Sequence, residues 1–403
     1  MKPNTYDFFA PQRIVFGWGR RSEIGSIAKS LGSRAFVVSG SRTLEANGTL
    51  DELCRLLTTS GVAVERLATQ TREPEVSDVD GVLNRLIDFT PRDGDCLIAI
   101  GGGSAIDLAK AVAALATNRQ GESVKDFLEG VGRGLKIERP PLPLLAMPTT
   151  AGTGTEATKN AVISSFDPPF KKSLRSDQMV PKCVLVDPEL TVSLPRDITA
   201  HTGMDAITQL IESLISRRAN SIPNLLCWEG LRLALPAMFE LSRDLTNRFA
   251  RESMSHAALL SGIALANSGL GFAHGVAAAL GVHAKVSHGL ACAVMLPTAL
   301  SLNRKVAEHA LWPLGRIMKS WLRDEVGLPT LDRNCSDDAN SEHFIAVIRI
   351  LNARLGIPQR LSELGVSREQ LPAIARSSRG NSMDGNPRDI SDDELLATLE
   401  RVW

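Results

Sequence analysis

The stretch LIAIGGGSAIDLAK, residues 97–110, joins an apolar β-type run to three glycines and then to a helix-forming sequence. This order predicts a buried strand, a tight turn and a helix. Glycines at such a turn let backbone N–H groups approach an anion, and the helix N-terminus adds partial positive charge. The stretch therefore predicts a phosphate-binding turn at Gly102, Gly103 and Ser104. A plain tight turn is the alternative, because the G-x-G-x-x-G spacing of the usual dinucleotide fingerprint is absent.

Similar β-type runs flank this stretch and alternate with helical patterns, which implies parallel βαβ units. These runs cover residues 13–16, 35–38, 144–147 and 183–186. After about Pro188 the runs have helical length and spacing instead, as in residues 205–215, 225–239 and 255–266. The sequence thus predicts an α/β dinucleotide-binding domain with a parallel sheet over residues 1–188. Residues 189–403 are expected to form an all-α domain.

Composition narrows the class of protein and its partners. The chain has 403 residues, and its 45 basic and 45 acidic side chains cancel. Neither a nucleic-acid partner nor an anionic membrane surface is expected from this balance, and no apolar run is long enough to span a bilayer. Six scattered cysteines without a C-x-x-C pair suit reduced, buried thiols in a cytoplasmic protein.

A second loop, PTTAGTGTEAT at residues 148–158, also follows a β-type run. Its small hydroxyl side chains are suited to binding phosphates and ribose, although a loop capped by Ser and Thr is the alternative. Asp107 and Lys110 lie in the first turns of the helix after the glycines, where ordinary helix-surface charge is one interpretation.

Ligand-type side chains occur in the second half of the chain. Asp205 and Gln209 are four residues apart on a predicted helix, so they share one side of it. His274 and His288 lie on later segments. A carboxylate combined with imidazoles is typical of a divalent-metal site. A surface aspartate and satisfied core histidines are the alternative.

Taken together, these motifs resemble the group III, iron-containing alcohol dehydrogenase family over nearly the whole chain. The matching segments are residues 101–110, 148–158, 187–195, 203–212, 274–297 and 386–388. The resemblance implies the dehydroquinate synthase-like fold, with NAD or NADP bound by the first domain and Fe²⁺ or Zn²⁺ held in the cleft. It also implies interconversion of a small alcohol and its aldehyde or ketone, in a protein that is expected to be a homodimer.

Residue roles follow from the same resemblance. It implies that Thr149, Thr150, Thr153 and Thr158 line the cofactor, together with Asp107 in the helix after the glycines. Asp205, His274 and His288 match three of the four family metal ligands and are expected to be catalytic. The fourth family ligand, a histidine, is Gln209 here, and its neutral oxygen is a poorer donor to borderline metals. A weakly bound metal is therefore expected, unless His201, one turn before Asp205, supplies the missing imidazole.

Three further positions are expected to shape the cleft. Lys172 matches a family lysine near the ribose. Ala278 stands where the family often has a histidine. The smaller side chain enlarges the cleft and removes a candidate for proton transfer, and His283 is a candidate to replace it. The sequence does not identify the substrate. Three arginines either attract an acidic substrate or are simply solvated: Arg376, Arg379 and Arg388.

Two other functions remain open at this point. The first is a metal-independent reductase of the maleylacetate reductase kind, in which Gln209 marks loss of the ion. The second is a nucleotide-binding protein without catalysis. Metal analysis distinguishes the first, and cofactor binding without turnover distinguishes the second.

The end of the 35–38 run predicts the coenzyme. Relatives that prefer NAD tend to carry an acidic residue where Gly40 stands, because a carboxylate binds the ribose hydroxyls and repels a 2′-phosphate. Gly40, Ser41 and Arg42 offer room, a hydroxyl and positive charge instead. We expect NADP(H) to be used at least as well as NAD(H), and Gly40→Asp to shift the preference toward NAD. The ratio of kcat/KM for the two coenzymes measures this, and a strong wild-type preference for NAD(H) would contradict it.

Overall fold

A six-stranded parallel sheet is the framework of the first half of the molecule. The computed structural model describes residues 5–40, 42–326 and 336–403. The sheet has the strand order β1-β8-β5-β4-β2-β3, and β6 and β7 form a separate antiparallel pair. The strands are β1 (Arg13–Phe16), β2 (Arg34–Ser39), β3 (Ala63–Thr69), β4 (Asp95–Gly101), β5 (Leu144–Pro148), β6 (Asn160–Phe166), β7 (Pro169–Arg175) and β8 (Cys183–Val186).

Helices cover both faces of this sheet. They are α1 (Ile24–Leu31), α2 (Arg42–Ala46), α3 (Thr49–Thr59), α4 (Val76–Asp88) and α5 (Gly103–Thr117). Because successive strand residues point to opposite faces, Val37 and Ile98 pack against α1 and α3, while Phe36 and Leu97 pack against α4 and α5. Both faces are therefore buried, which explains why these strands are continuous apolar runs.

Helices make up the second half of the molecule. They are α6 (Arg196–Ile215), α7 (Ser221–Leu241), α8 (Arg248–Ala266), α9 (Phe272–Ala284), α10 (His288–Val326), α11 (Asp337–Arg354), α12 (Leu371–Ser377), α13 (Asn381–Asp384) and α14 (Asp392–Arg401). Their core contains the apolar faces of α6 and α10. Within the described ranges no helix is long and apolar enough to cross a bilayer.

The two halves meet where the loop after β5 packs on α6 and α8. At Gly154 an added Cβ would lie 2.5 Å from the Cα of Gly262 on α8, and at Gly152 it would lie 2.6 Å from Cβ of Thr202 on α6. Side chains are excluded at these contacts, so the loop lies directly on the helices. The carboxyl end of the parallel sheet is thereby joined to the helical half, at the edge where such folds bind ligands.

The predicted fold class is confirmed: a parallel sheet with helices precedes a part in which every described regular element is helical. The sequence analysis did not specify β3 or the β6–β7 pair. The boundary expected at residue 188 lies between β8 and α6, and as a domain limit it stays a prediction.

Candidate active site

The glycine turn lies at the carboxyl end of β4, where α5 begins. Gly102 is the N-cap residue and has no side chain to cap the helix. The N–H groups of Ala105 and Ile106 donate to the Gly102 carbonyl, so those of Gly103 and Ser104 are the ones suited to a phosphate. A Cβ on Gly103 would lie 2.7 Å from the methyl group of Thr153. Glycine is required there because the threonine loop approaches so closely.

The threonine loop after β5 lies beside the glycine turn. The Thr149 N–H donates to the carbonyl of Gly101 at 3.0 Å. Thr150 is 3.2 Å from the Cβ position of Gly102. The structure therefore brings together the predicted cofactor residues of both segments: Gly102, Gly103, Ser104, Thr149, Thr150 and Thr153.

Two buried charged side chains of α5, Asp107 and Lys110, hold the threonine loop in place by hydrogen bonds. Lys110 Nζ donates to the carbonyl of Thr155 at 2.9 Å and to Thr158 Oγ1 at 2.8 Å. Asp107 accepts from Thr155 Oγ1 and from the Val162 N–H. Burial lowers the pKa of Lys110 to about 8, although Asp107 opposes that shift. The surface-charge interpretation of Asp107 and Lys110 is wrong, because both side chains are buried.

Gly40 has a packing role that the sequence does not reveal. A Cβ there would lie 2.8 Å from the Cα of Gly101 and 3.3 Å from the backbone nitrogen of Gly102. The prediction that Gly40 leaves room for a larger group is therefore wrong on the side where a Cβ would point, because the backbone of Gly101 and Gly102 fills that space. Gly40→Asp would displace the glycine turn, so it does not test coenzyme choice cleanly. Ser41 lies outside the described residues, and the NADP(H) preference stays a prediction.

Three predicted metal ligands from three helices converge at one point. Asp205 lies on α6, His274 in the first turn of α9, and His288 is the first residue of α10. His274 Nε2 lies 3.4 Å from Asp205 Oδ1, and His288 Nε2 lies 3.8 Å from the same oxygen. Asp205 Oδ1 and His274 Nε2 are buried and have no hydrogen-bond partner that would satisfy them. Asp205 and His288 are 83 positions apart in the sequence. Only the packing of α6, α9 and α10 brings the three side chains together, so the sequence alone does not show this convergence.

Glu212, two turns after Asp205 on α6, orients His274. Its carboxylate accepts from His274 Nδ1 at 2.7 Å. It also accepts from the backbone N–H groups of Gly271 and Ala273, at 3.0 and 2.7 Å. With its proton on Nδ1, the ring presents Nε2 to Asp205. Glu212 is absent from the residues that the sequence predicts for the site, although its spacing of seven from Asp205 places both on one helix face.

Burial and neighbouring charges act together on these groups. Burial alone would raise the pKa of Asp205, but His288 and His274 hold it below its ordinary value. Burial also opposes protonation of His274, yet Cys292 and the carboxylates of Asp205 and Glu212 raise its pKa well above the usual range. For His288, burial and the nearby Lys171 lower the pKa to about 4. His288 is therefore neutral at pH 7, with a lone pair free to bind a cation.

Gln209 lies one turn after Asp205, but its amide already has partners. Nε2 donates to the carbonyl of Thr153 at 3.1 Å, and Oε1 accepts from Ser261 Oγ at 2.8 Å. The side chain thus ties α6 to the threonine loop and to α8. Its predicted role as a metal ligand stays a prediction, and these contacts favour a bridging role.

The other candidate histidines lie elsewhere. His201 does not belong to the group of closely spaced donors around Asp205. His283 Nε2 lies 2.7 Å from Ser377 Oγ, so its ring is committed to α12. Ala278 is half-buried, one turn after His274 on α9. Among the arginines, Arg379 and Arg388 pair with carboxylates: Asp392 and Glu394.

Asp205, His274 and His288 are called the metal-type cluster below. Lys171, the neighbour of Lys172 on β7, is the lysine close to this cluster. Its Nζ lies 2.7 Å from a carboxylate oxygen of Glu73, and its charge acts on His288. Adjacent strand residues point to opposite faces, so Lys172 points away from that pair. The sequence presents both lysines side by side, and only the strand register distinguishes them.

Cys292 completes the group of donors. One ligand atom each from Asp205, His274, His288 and Cys292 lies within 4.8 Å of the others. The sequence predicts only an inert buried thiol for this cysteine. Its spacing of four from His288 is the signal that could have identified it, because residues four apart share one side of a helix.

A divalent ion fits these residues. A tetrahedral zinc site with Zn–N and Zn–O bonds of about 2.0–2.2 Å separates its ligand atoms by roughly 3.3–3.6 Å. The 3.4 and 3.8 Å separations around Asp205 Oδ1 are close to this range. Buried polar atoms without partners are costly, and an ion between them would satisfy them.

A parallel sheet with a phosphate-type turn, together with a buried carboxylate–imidazole cluster, is an arrangement suited to a metal-dependent oxidoreductase that binds a dinucleotide. The family description "Iron-containing alcohol dehydrogenase" matches residues 11–188. Its C-terminal counterpart, "Fe-containing alcohol dehydrogenase family, C-terminal", matches residues 199–403. The chain belongs to the iron-containing alcohol dehydrogenase family.

Full-length relatives agree with this assignment. The chain is 31% identical to "Probable alcohol dehydrogenase EutG" of Escherichia coli (strain K12), covering 96% of this chain and 92% of that protein. It is 28% identical to "NAD-dependent methanol dehydrogenase" of Bacillus methanolicus, covering 92% and 93%. A crystal structure of 1,3-propanediol oxidoreductase superimposes with a TM-score of 0.88 at 27% identity, covering 99% of this chain and all of that one.

Family membership defines the reaction class. The chain is an NAD(P)-dependent oxidoreductase of the alcohol dehydrogenase and aldehyde reductase class, and it uses a divalent metal ion. The recognition from sequence motifs is confirmed. The roles of individual residues stay predictions.

Glu212→Gln tests whether the carboxylate behind His274 supports metal binding. The substitution keeps the shape but removes the negative charge that holds the Nδ1 proton, so we expect the metal dissociation constant to rise about 10–100-fold. Competition with a chromophoric chelator measures it. Glu229→Gln, at an exposed pair with Arg232 on α7, is the control and should leave affinity unchanged. Equal affinity in both variants would remove Glu212 from the metal site.

Proposed function

We propose that this protein interconverts a small alcohol and its aldehyde or ketone at the junction of the two halves, with Asp205, His274 and His288 as metal ligands. The observation that carries the proposal is the convergence of these buried donor atoms on α6, α9 and α10. Gln209, one turn from Asp205, donates to Thr153 of the threonine loop, so the donors lie next to the proposed cofactor segments.

Each group in the junction has a defined task in this proposal. Asp205, His274 and His288 would hold the metal ion, which would supply Lewis-acid polarisation of the substrate oxygen, and the glycine turn would hold the cofactor that supplies the hydride chemistry. Glu212 accepts a hydrogen bond from the Nδ1 proton of His274, so Nε2 is the nitrogen that would bind the ion, with release of its own proton. The first turn of α5 binds the diphosphate through backbone N–H groups at Gly103 and Ser104.

The buried charges under the threonine loop have a positioning role. Asp107 and Thr158 are occupied by contacts within the protein, so we assign them to holding the loop rather than to touching the cofactor. Lys110 donates to Thr158 and to the carbonyl of Thr155, and the Thr155 hydroxyl donates to Asp107. The Thr153 hydroxyl accepts from the Thr155 N–H at 3.4 Å. This arrangement fixes the threonine loop opposite the glycine turn.

Lys171 takes the ribose-side role that the sequence suggests for Lys172. Its Nζ is nearly buried, with the side chain 8% exposed, and is paired with Glu73 close to His288. A fixed ammonium group at this position is suited to a hydroxyl or an anionic group of a ligand. Proton exchange with solvent is then expected to run through water and the ribose hydroxyls.

A relative supports a small alcohol as the substrate, since it is a methanol dehydrogenase by name. The metal-independent alternative leaves buried donor atoms of Asp205 and His274 without partners, which argues against it. A non-catalytic nucleotide-binding role leaves the same atoms unexplained.

We also propose that the protein is a cytoplasmic homodimer. β1 is an edge strand of the sheet, and Ile14 on it is 39% exposed, so this edge offers a surface for a second copy. Light scattering should give about twice the chain mass of 43.4 kDa. A monomeric mass at micromolar concentration would contradict the dimer.

Metal removal and restoration test the proposed reaction. Chelator-treated protein should lose NAD(P)H oxidation with small aldehydes by about 100-fold or more, because Lewis-acid stabilisation amounts to several kcal/mol. Added Zn²⁺ or Fe²⁺ should restore the rate in the wild type and in His309→Ala, an exposed histidine on α10. His274→Ala should stay inactive. Full activity of metal-free wild type, or of His274→Ala, would overturn the proposal.

A further inference from the structure

Cys292 lies against the proposed metal site and is fully buried. It is on α10, one turn after His288, and its Sγ lies 3.8 Å from His288 Nε2. Its Sγ also lies within 4.8 Å of the donor atoms of Asp205 and His274. The sulfur is therefore close to all three proposed ligands rather than to one of them.

The unpaired atoms around the sulfur point to a ligand. Asp205 Oδ1 and His274 Nε2 belong to side chains that are only 2% and 3% exposed, and neither has a hydrogen-bond partner. A thiol with carboxylate and imidazole neighbours at these separations has the donor types of a metal site. Ordinary core packing would instead surround the thiol with apolar atoms.

Gln209, which stands at the position of the fourth family ligand, already has partners. Both ends of the Gln209 amide are hydrogen-bonded, to Thr153 and to Ser261. Using Gln209 as a ligand would disrupt contacts that join α6 to the threonine loop. Cys292 requires no such rearrangement, because it already lies within 4.8 Å of the other donors.

We propose that the Cys292 thiolate is the fourth protein ligand, giving an Asp–His–His–Cys set in place of three imidazoles and a carboxylate. The inference rests on the proposed metal-ligand roles of Asp205, His274 and His288. On binding, the S–H bond breaks, its proton passes to solvent, and the sulfur electron pair forms the bond to the ion.

A sulfur ligand changes which metal the site retains. Thiolates are soft donors that favour Zn²⁺, whereas carboxylate and imidazole sets also suit Fe²⁺. Zinc should therefore displace iron from this protein more readily than from a Cys292→Ser variant. Activity is not required to observe this difference.

Cobalt substitution tests the sulfur directly. Titration of the metal-free full chain with Co²⁺ should produce visible ligand-field bands and, in the wild type, an added near-ultraviolet thiolate-to-cobalt charge-transfer band. Cys292→Ser should lose the charge-transfer band and bind zinc about 10–100-fold more weakly, on the scale of lost supporting ligands. Cys227→Ser, a buried cysteine on α7 outside the donor group, should keep the band.

The wild type alone provides a second measurement, in case Cys292→Ser does not fold. X-ray absorption of the zinc-loaded protein should show one sulfur neighbour at about 2.3 Å. Ligand-field bands and metal-dependent turnover without a sulfur neighbour would overturn the Cys292 assignment and leave the proposed function standing. Absence of any stoichiometric metal uptake would overturn both.

Discussion

The Glu212 carboxylate is the contact on which the proposed active site depends. It accepts from His274 Nδ1 and from the backbone N–H groups at the start of α9. One buried charge thus sets the position of α9, the tautomer of His274 and the direction of its Nε2. An exposed carboxylate would contribute little, but in a buried site such hydrogen bonds are strong and their loss is costly.

Close backbone approach organises the other side of the junction. Gly40 against Gly101, and Gly154 against Gly262, leave no space for a Cβ. These contacts bring the strand ends, the glycine turn and the helical half together without side chains between them. The buried Lys110 then holds the threonine loop through Thr155 and Thr158. The position of the cofactor segments therefore depends on glycines that allow close backbone contact as well as on the hydrogen bonds of Lys110.

The sequence predicts the fold class well because β4 and its neighbours are continuous apolar runs followed by glycine or small polar residues. It also predicts Asp205, His274 and His288 as metal ligands, and the structure brings their donor atoms together, while their role stays a prediction. It cannot identify Glu212 or distinguish Lys171 from Lys172, because those roles depend on helix packing and strand register. Gly40 shows the same limit. From the sequence a glycine suggests free space for a ligand, whereas the structure shows that the backbone of Gly101 occupies that space.

The argument for a metal ion at the metal-type cluster rests on the free-energy cost of burying polar atoms without hydrogen-bond partners. Leaving a buried polar atom without a partner costs about 1–3 kcal/mol, and here such atoms face one another across distances suited to an ion. Replacing the family histidine by Gln209 does not leave this part of the fold empty of donors, because α10 brings a sulfur to the same point. In the proposed site the protein thus has four donors, with a sulfur in place of one imidazole.

Diffraction from crystals soaked in zinc, recorded on both sides of the zinc absorption edge, tests the central claim most directly. The account predicts one anomalous difference peak between Asp205, His274 and His288, within bonding distance of each. A saturating soak that gives no peak at this point, or places the only strong peak elsewhere in the molecule, would contradict it.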